Sequence, residues 1–322
     1  MQDGLPGPRI SAGDVCAVLV TYHPDADFPA RLRLISPQVG AVVIVDNGSG
    51  DAAVKMLHDL ARTPFHSLVC NPLNLGVAQA LNAGIERAVS LGFGWVLLLD
   101  QDTRCQAGLL QALSAIYQSL PDRERVAVLG SGFKDFNHRA PQIAGRRSHH
   151  RWEEATSVIT SGSLLPMATH ALIGPFREEF FIDHVDTDYC YRARAMGYRI
   201  INAAEPLMCH AIGAPSGHQL LWAKKWTTNH SPDRRYYFAR NDTVMLRDFG
   251  DYSWGLWALK SFGRRMRSCK RIILYERDKG DKIIAVAQGW YDGVRGKMGP
   301  RRPLRAPAAT LASAHEHTRP GM

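Results

Sequence analysis

Three short apolar runs, VCAVLV at 15–20, AVVIV at 41–45 and WVLLL at 95–99, limit what this chain can become. Each is five or six residues long and is separated from the next by a longer stretch with helical periodicity. Runs that are apolar throughout, without alternation, belong to strands buried on both faces. The pattern therefore predicts an α/β fold: an open, mostly parallel sheet flanked by helices. A helix crossing a bilayer needs about 20 apolar residues, and none of these runs approaches that. The start, MQDGLPGPRISAGD, has no basic region followed by an apolar core and does not read as a secretory signal.

Strands are expected at 15–21, 41–46, 66–70, 95–99 and 126–130, and helices at 27–36, 51–61, 76–91 and 107–119. The polar stretch 131–155 reads as loop, and a second β-rich patch surrounds 156–166. Residues 213–235 read as irregular, while 236–249 and 254–293 read as helical. The chain thus divides into an N-terminal arm (1–14), an α/β domain (15–250), a basic helical region (251–293) and a tail (294–322). The Pro, Arg and Ala content of that tail predicts disorder.

Charge is distributed unevenly. The net charge of +9 comes from 39 Lys and Arg against 30 Asp and Glu. Residues 1–250 hold 24 of each sign, so the whole excess, 15 against 6, lies in 251–322. A neutral α/β part without a recognisable nucleic-acid motif argues against nucleic-acid binding. The basic end confines any attraction to an anionic surface to the C-terminal region. There, Leu259, Phe262, Met266, Cys269 and Ile273 fall on one side of a helical wheel, with Lys260, Arg264, Arg267 and Arg271 opposite. Such a helix suits a membrane interface, and the same stripe suits a surface helix docked on the domain. Six widely spaced cysteines (16, 70, 105, 190, 209, 269) without a CxxC pair read as reduced thiols of a cytosolic protein.

The strand ends carry the chemistry. LLLDQDT (97–103) leaves a buried strand through two aspartates one residue apart. Side chains alternate along an extended chain, so Asp100 and Asp102 point to one side. Two like charges so placed call for a cation, and Mg²⁺ favours one or two carboxylates together with phosphate oxygens and water. Ligands of open parallel sheets bind beyond the carboxyl ends of the strands. Thr21 and Tyr22 of VTYHPD, and Asp46, Asn47, Gly48 and Ser49 of VDNGSGD, should therefore share a rim with the two aspartates. Taken alone, DNGSGD equally suits a turn and a helix N-cap.

In FFIDHVDTDYCYRARAMGYRI (180–200), Asp183, Asp186 and Asp188 crowd the start of a helix. Capping and the helix dipole account for part of this. A carboxylate there, beside a metal–diphosphate site, is also placed to act as a general base on a hydroxyl. His210, in MCHAIG, is either a structural histidine or an imidazole completing the shell of a carboxylate-bound metal.

Together these segments resemble the family 2 glycosyltransferases with the GT-A fold, and within them the rhamnosyltransferase branch of O-antigen and rhamnolipid synthesis. The resemblance rests on VTYHPD (20–25), VVIVDNGS (42–49), NLGVAQALNAGI (74–85), LLLDQDT (97–103), SGSLLP (161–166), FIDHVDTDYCYRA (181–193), HAIG (210–213) and HSPDRRYYFARN (230–241). These segments run in the family's order over residues 15–250.

The resemblance implies roles. Thr21, Tyr22, Asp46 and Asn47 would hold the nucleotide base and ribose, and Asn74, Gly76 and Asn82 would belong to the loop and helix that close over it. Gly162 would join the same nucleotide-sugar site. Asp100 would face ribose and metal, with Asp102 and His210 as metal ligands. Asp186 would be the catalytic base. Val185 stands where many relatives have Glu, which keeps Asp183 as the alternative base. Arg235 and Arg240 would meet the donor diphosphate.

The implied reaction is inverting, Mg²⁺- or Mn²⁺-dependent transfer of L-rhamnose from dTDP-L-rhamnose. The acceptor would be a hydroxyl of a glycolipid (a rhamnolipid precursor) or of a lipid-linked glycan. The enzyme would be cytoplasmic and peripheral on the inner face of the inner membrane. One alternative is a member of the same family using another nucleotide sugar. Another is nucleotidyl transfer, which shares the Asp–metal–phosphate chemistry. That reaction usually needs a Gly-rich phosphate loop with a basic residue near the N-terminus, and VTYHPD offers neither.

Overall fold

Strand and helix alternate through the first half of the chain. β1 (Val15–Thr21), α1 (Phe28–Ile35), β2 (Ala41–Asp46), α2 (Asp51–Leu60), β3 (His66–Cys70), α3 (Val77–Ser90) and β4 (Trp95–Asp100) follow in turn. The short β5 (Arg104–Cys105), α4 (Leu109–Ser119) and β6 (Val126–Gly130) come next. The second half is less regular: β7 (Phe133–Asp135), β8 (Trp152–Glu154), β9 (Ser163–Pro166), α5 (Met167–Ile173), α6 (Val185–Ala195), β10 (Arg199–Ala203) and β11 (Met208–His210). A hairpin of β12 (Ser216–Leu220) and β13 (Ala223–Thr227) precedes α7 (Pro232–Phe249), α8 (Leu256–Tyr275) and α9 (Lys279–Val294). The structure, a computed structural model, describes residues 10–135, 151–210, 216–220, 223–227, 229–250 and 256–304.

The main sheet has eight strands in the order β3-β2-β1-β4-β9-β6-β10-β8. Strands β1 to β4 are mutually parallel where they pair, and β9 runs antiparallel to both β4 and β6. After β3 the chain returns through α3 and lays β4 on the other side of β1. The strand order therefore reverses between β1 and β4, which opens a crevice at their carboxyl ends.

The period of two explains the unbroken apolar runs. Val15, Ala17 and Leu19 of β1 face one hydrophobic cluster with Trp95, Leu97 and Leu99 of β4. Cys16 and Val18 face a second with Val96 and Leu98. Both faces are buried, so neither can be polar. All six cysteines are free, and burial pushes the thiols of Cys16, Cys105 and Cys190 up to about 12.

Several expectations need correction. Strands β7 and β8 lie inside the stretch read as loop, and residues 136–150 of that stretch lie outside the described residues. The segment 213–235 is not irregular, since it contains the β12–β13 hairpin and the start of α7. The helical region 254–293 is two helices, broken at Asp278, whose φ is 52°. Much of the tail and of the N-terminal arm, residues 305–322 and 1–9, also lies outside the described residues.

The three last helices pack on one another. Helix α9 meets α7 through Gly289, where a Cβ would strike the Tyr236 carbonyl oxygen. A buried ionic cluster joins them: Lys282 Nζ donates to Glu276 Oε2 at 3.1 Å and to Asn229 Oδ1 at 2.6 Å, and Arg235 pairs with the same glutamate. Removing one member of such a cluster leaves a buried charge uncompensated, at a cost of about 3–5 kcal/mol. No described helix is long and apolar enough to cross a membrane.

Candidate active site

The crevice at the ends of β1 and β4 is a cleft of about 650 Å³. Its first wall is built by asparagines. Asn47, just after β2, donates from Nδ2 to Asn74 Oδ1 and to the Gly76 carbonyl, each at 3.1 Å. Its Oδ1 accepts from Asn71 Nδ2 and the Leu75 backbone N–H, also at 3.1 Å. One side chain thus shapes the whole 71–76 loop. Gly76 has φ 92°, and a Cβ there would come within 2.7 Å of Phe181, so glycine is required at this approach. Thr21 and Tyr22 line the same wall.

Asp46 sits beneath the wall. It is buried and accepts from the Ser49 backbone N–H at 2.9 Å and the Ser49 hydroxyl at 2.5 Å, with Thr21 Oγ1 3.3 Å away. Its carboxylate is thus engaged in its own turn. Gln101, between the two aspartates, is a residue the sequence reading passed over. Its amide accepts from the Tyr22 N–H at 2.8 Å and donates to the Tyr22 carbonyl at 3.2 Å, which ties the β1 and β4 ends together. Arg31 Nε of α1 holds the Gln101 carbonyl at 2.6 Å.

Asp100 ends β4 and Asp102 follows in the turn. Pairing of β11 with β5 carries His210 to the same spot from more than a hundred residues away. His210 Nδ1 lies 3.1 Å from Asp102 Oδ1, and Nε2 lies 3.7 Å from Asp100 Oδ2. One donor atom from each of the three falls within 4.8 Å of the others. Ser161 braces the turn, accepting from the Asp100 N–H at 3.1 Å and sharing a 2.5 Å hydrogen bond with Thr103.

Burial pushes the Asp100 carboxyl up to about 6, with Asp102 and Asp186 adding to the effect and His210 and Arg234 opposing it. Two carboxylates and one imidazole crowded together fit a divalent cation, whose charge would relieve that repulsion. Asp100, Asp102 and His210 are the residues that could hold it.

The facing wall is the start of α6. Asp186 Oδ2 accepts from the Thr160 N–H at 3.2 Å, and Oδ1 accepts from the Thr187 N–H at 2.7 Å and hydroxyl at 3.2 Å. Burial raises its carboxyl above the ordinary range, against the pull of the Thr187 N–H, His184 and Thr160. Asp186 also lines a smaller cavity of about 170 Å³ with Ser131, Ser157 and Asn202.

The loop before α6 is strained. Phe181, Asp183 and His184 each have φ 63°, a region that costs non-glycine residues energy unless the surroundings enforce it. Here α7 enforces it: Asn241 Nδ2 lies 2.9 Å from the carbonyls of Phe180, Ile182 and Asp183.

Besides Asp46, which lies beneath the cleft lining, four expected site residues lie elsewhere. Arg240 is fully buried and does not reach the cleft. It donates to the carbonyls of Glu179, Phe180 and Gly299 and packs against Tyr236 and Tyr237, because it falls on the inward face of α7. Arg235 is turned to Glu276. Asn82 is buried within α3, donating to the Phe176 carbonyl and Glu178 and accepting from the Phe176 N–H at 2.9 Å. Gly162 has φ 77° and sits against Met208 and Ser131, away from the cleft lining. The arginine that does line the cleft is Arg234. Adjacent arginines on a helix point about 100° apart, and only the docking of α7 selects between them.

A carboxylate pair at a switch point, an asparagine-held loop and an acidic residue on the opposite wall suit a site that takes a phosphorylated ligand through a cation. The profile of glycosyl transferase family 2 matches residues 32–185. The dTDP-rhamnosyl transferase RfbF of Shigella flexneri is 30% identical over 302 residues, which is 89% of this chain and 97% of that protein. Among solved structures, S. aureus TarS 1–349 in complex with UDP-GlcNAc superposes with a TM-score of 0.55 at 16% identity, covering 87% of this chain and 81% of that one. GalNAc-T7 with UDP, GalNAc and Mn²⁺ gives 0.54 at 11% identity, over 94% and 57%. The chain belongs to glycosyl transferase family 2, in its rhamnosyltransferase branch.

Proposed function

We propose that this glycosyltransferase moves L-rhamnose from dTDP-L-rhamnose to a hydroxyl of a glycolipid or lipid-linked glycan, with inversion at the anomeric carbon. The observation that carries the reading is Asp186 facing the Asp100–Asp102–His210 cluster across one cleft. The likeness to a dTDP-rhamnosyl transferase supports the donor.

Thr21, Tyr22, Asn47 and the Asn74–Gly76 loop hold the nucleoside end of the donor. Asp102 and His210, with Asp100 beside them, would hold Mg²⁺ or Mn²⁺, which would supply countercharge to the leaving diphosphate. Arg234 is the one lysine or arginine among the described residues that line the cleft, and it adds positive charge there. Asp186 takes the proton of the acceptor hydroxyl as its oxygen attacks C1. One displacement without a covalent intermediate inverts the configuration. An acceptor with a lipid anchor puts the enzyme at the inner face of the inner membrane, working from the cytoplasm.

Incubation with labelled dTDP-L-rhamnose and a panel of glycolipid and lipid-linked acceptors, with and without Mg²⁺ or Mn²⁺, tests this. The expected products are free dTDP and an inverted rhamnoside, both lost with excess chelator. Release of pyrophosphate in place of dTDP, preference for another nucleotide sugar, or unchanged transfer in chelator would overturn it.

A further inference from the structure

Helix α8 contacts the rest of the protein through a narrow seam. Ser261, Arg265 and Ile272 are its buried residues. Arg264 and Arg265 each donate at 2.6 Å to one carboxylate oxygen of Asp242 on α7. Trp290 Nε1 of α9 donates to Ser261 Oγ at 3.0 Å.

Most of the apolar stripe of α8 lies outside that seam, with Phe262 at its edge, its ring 5.4 Å from that of Trp290 on α9. Leu256, Leu259, Phe262, Met266, Ile273 and Leu274 remain 44–67% exposed. A helix docked through its apolar face would bury them, so the stripe faces away from the protein. Contiguous exposed apolar surface of this kind marks an interaction site.

Charge identifies the partner. The sequence of α8, LWALKSFGRRMRSCKRIILY, contains six basic residues and no acidic one. With about 3.6 residues per turn, Lys260, Arg267 and Arg271 run along one flank of the stripe and Lys270 lies within it. All four are exposed. Against a second copy of the chain, a two-fold contact through this face would oppose like charges. Against anionic lipid, the apolar side chains enter the acyl boundary while the long basic ones reach the headgroups.

We propose that this face of α8 binds an anionic phospholipid surface. The inference deepens the membrane placement proposed above and rests on it. It is read by binding and not by rhamnosyl transfer, so the two fail separately.

The test uses the full chain and sedimenting vesicles of phosphatidylcholine alone or mixed with phosphatidylglycerol. Binding is expected to the mixed vesicles only and to weaken with salt. The triple variant Leu259→Gln, Met266→Gln, Ile273→Gln should lose it while keeping the melting temperature, since those side chains are exposed. Arg267→Gln with Arg271→Gln should weaken it about fivefold per charge removed. No binding by the intact chain, or binding indifferent to both sets of substitutions, overturns the proposal. So does a dimer in sedimentation equilibrium that the triple variant abolishes, which would assign the stripe to a second copy.

Discussion

Arg234 grips Asp183 by both carboxylate oxygens, with Nε 3.2 Å from each and Nη2 3.0 Å from Oδ1. A carboxylate held in an arginine fork has its lone pairs occupied and its charge compensated. Asp186, three residues on, is bound by hydrogen-bond donors of Thr160 and Thr187 and by no cation within ion-pairing distance among the described residues. That contrast favours Asp186 as the base and gives Asp183 the task of orienting Arg234.

The two aspartates should therefore separate kinetically. Asp186→Asn is expected to lower kcat by about 10²–10⁴-fold with donor affinity preserved. Asp183→Asn should act mainly on donor KM by releasing Arg234. Steady-state kinetics with donor binding by calorimetry checks this, and the opposite pattern would exchange the roles.

The pH profile follows from the burial of Asp186. Its carboxyl is raised, and a base acts only when ionised. Log kcat should fall with unit slope as pH drops through that raised value, and the midpoint should lie above the ordinary aspartate value of about 4. A profile that stays flat down to that ordinary range would contradict the assignment.

Loss of a cluster donor should be visible without turnover. Asp102→Ala and His210→Ala should each weaken Mn²⁺ binding, read by electron paramagnetic resonance of the free ion. The effect should exceed about tenfold, the smaller loss typical of an outer-shell partner. Unaltered Mn²⁺ affinity in both variants would move the metal elsewhere.

Asn241→Ala tests the support of the α6 loop. It removes the donor shared by three carbonyls, of which Phe180 keeps Arg240 and the Ile182 N–H, in a loop already holding three left-handed residues. An unsatisfied buried polar group costs about 1–3 kcal/mol, so stability and kcat should fall together. A normal melting temperature with normal kcat would mean that the loop holds itself.

The sequence reveals some of this and conceals the rest for physical reasons. Strands β1, β2 and β4 are legible because burial on both faces removes polar residues from all but their last position. Asp100 and Asp102 are legible because they break such a run. The approach of His210 depends on β11 pairing with β5, a contact no local pattern encodes. Arg234 and Arg235 are neighbours with opposite fates, set by how α7 rolls onto the loop. The start of α7 carries a local signal. Ser231 followed by Pro232 is a cap with proline in the first turn, and its hydroxyl accepts from the Arg234 N–H. The hairpin at 216–227 carries two lysines and no clean alternation, so it resembles a loop.

The contact at Gly289 has a practical consequence. That glycine lets α9 lie against the backbone of α7, and α7 in turn fixes the carbonyls that set the bend before Asp186. The two ends of the protein are therefore not interchangeable parts. A hybrid spliced at residue 250 onto a foreign helical end would keep its sheet and α7 while losing the close α9 contact behind the helix that holds the bend before Asp186.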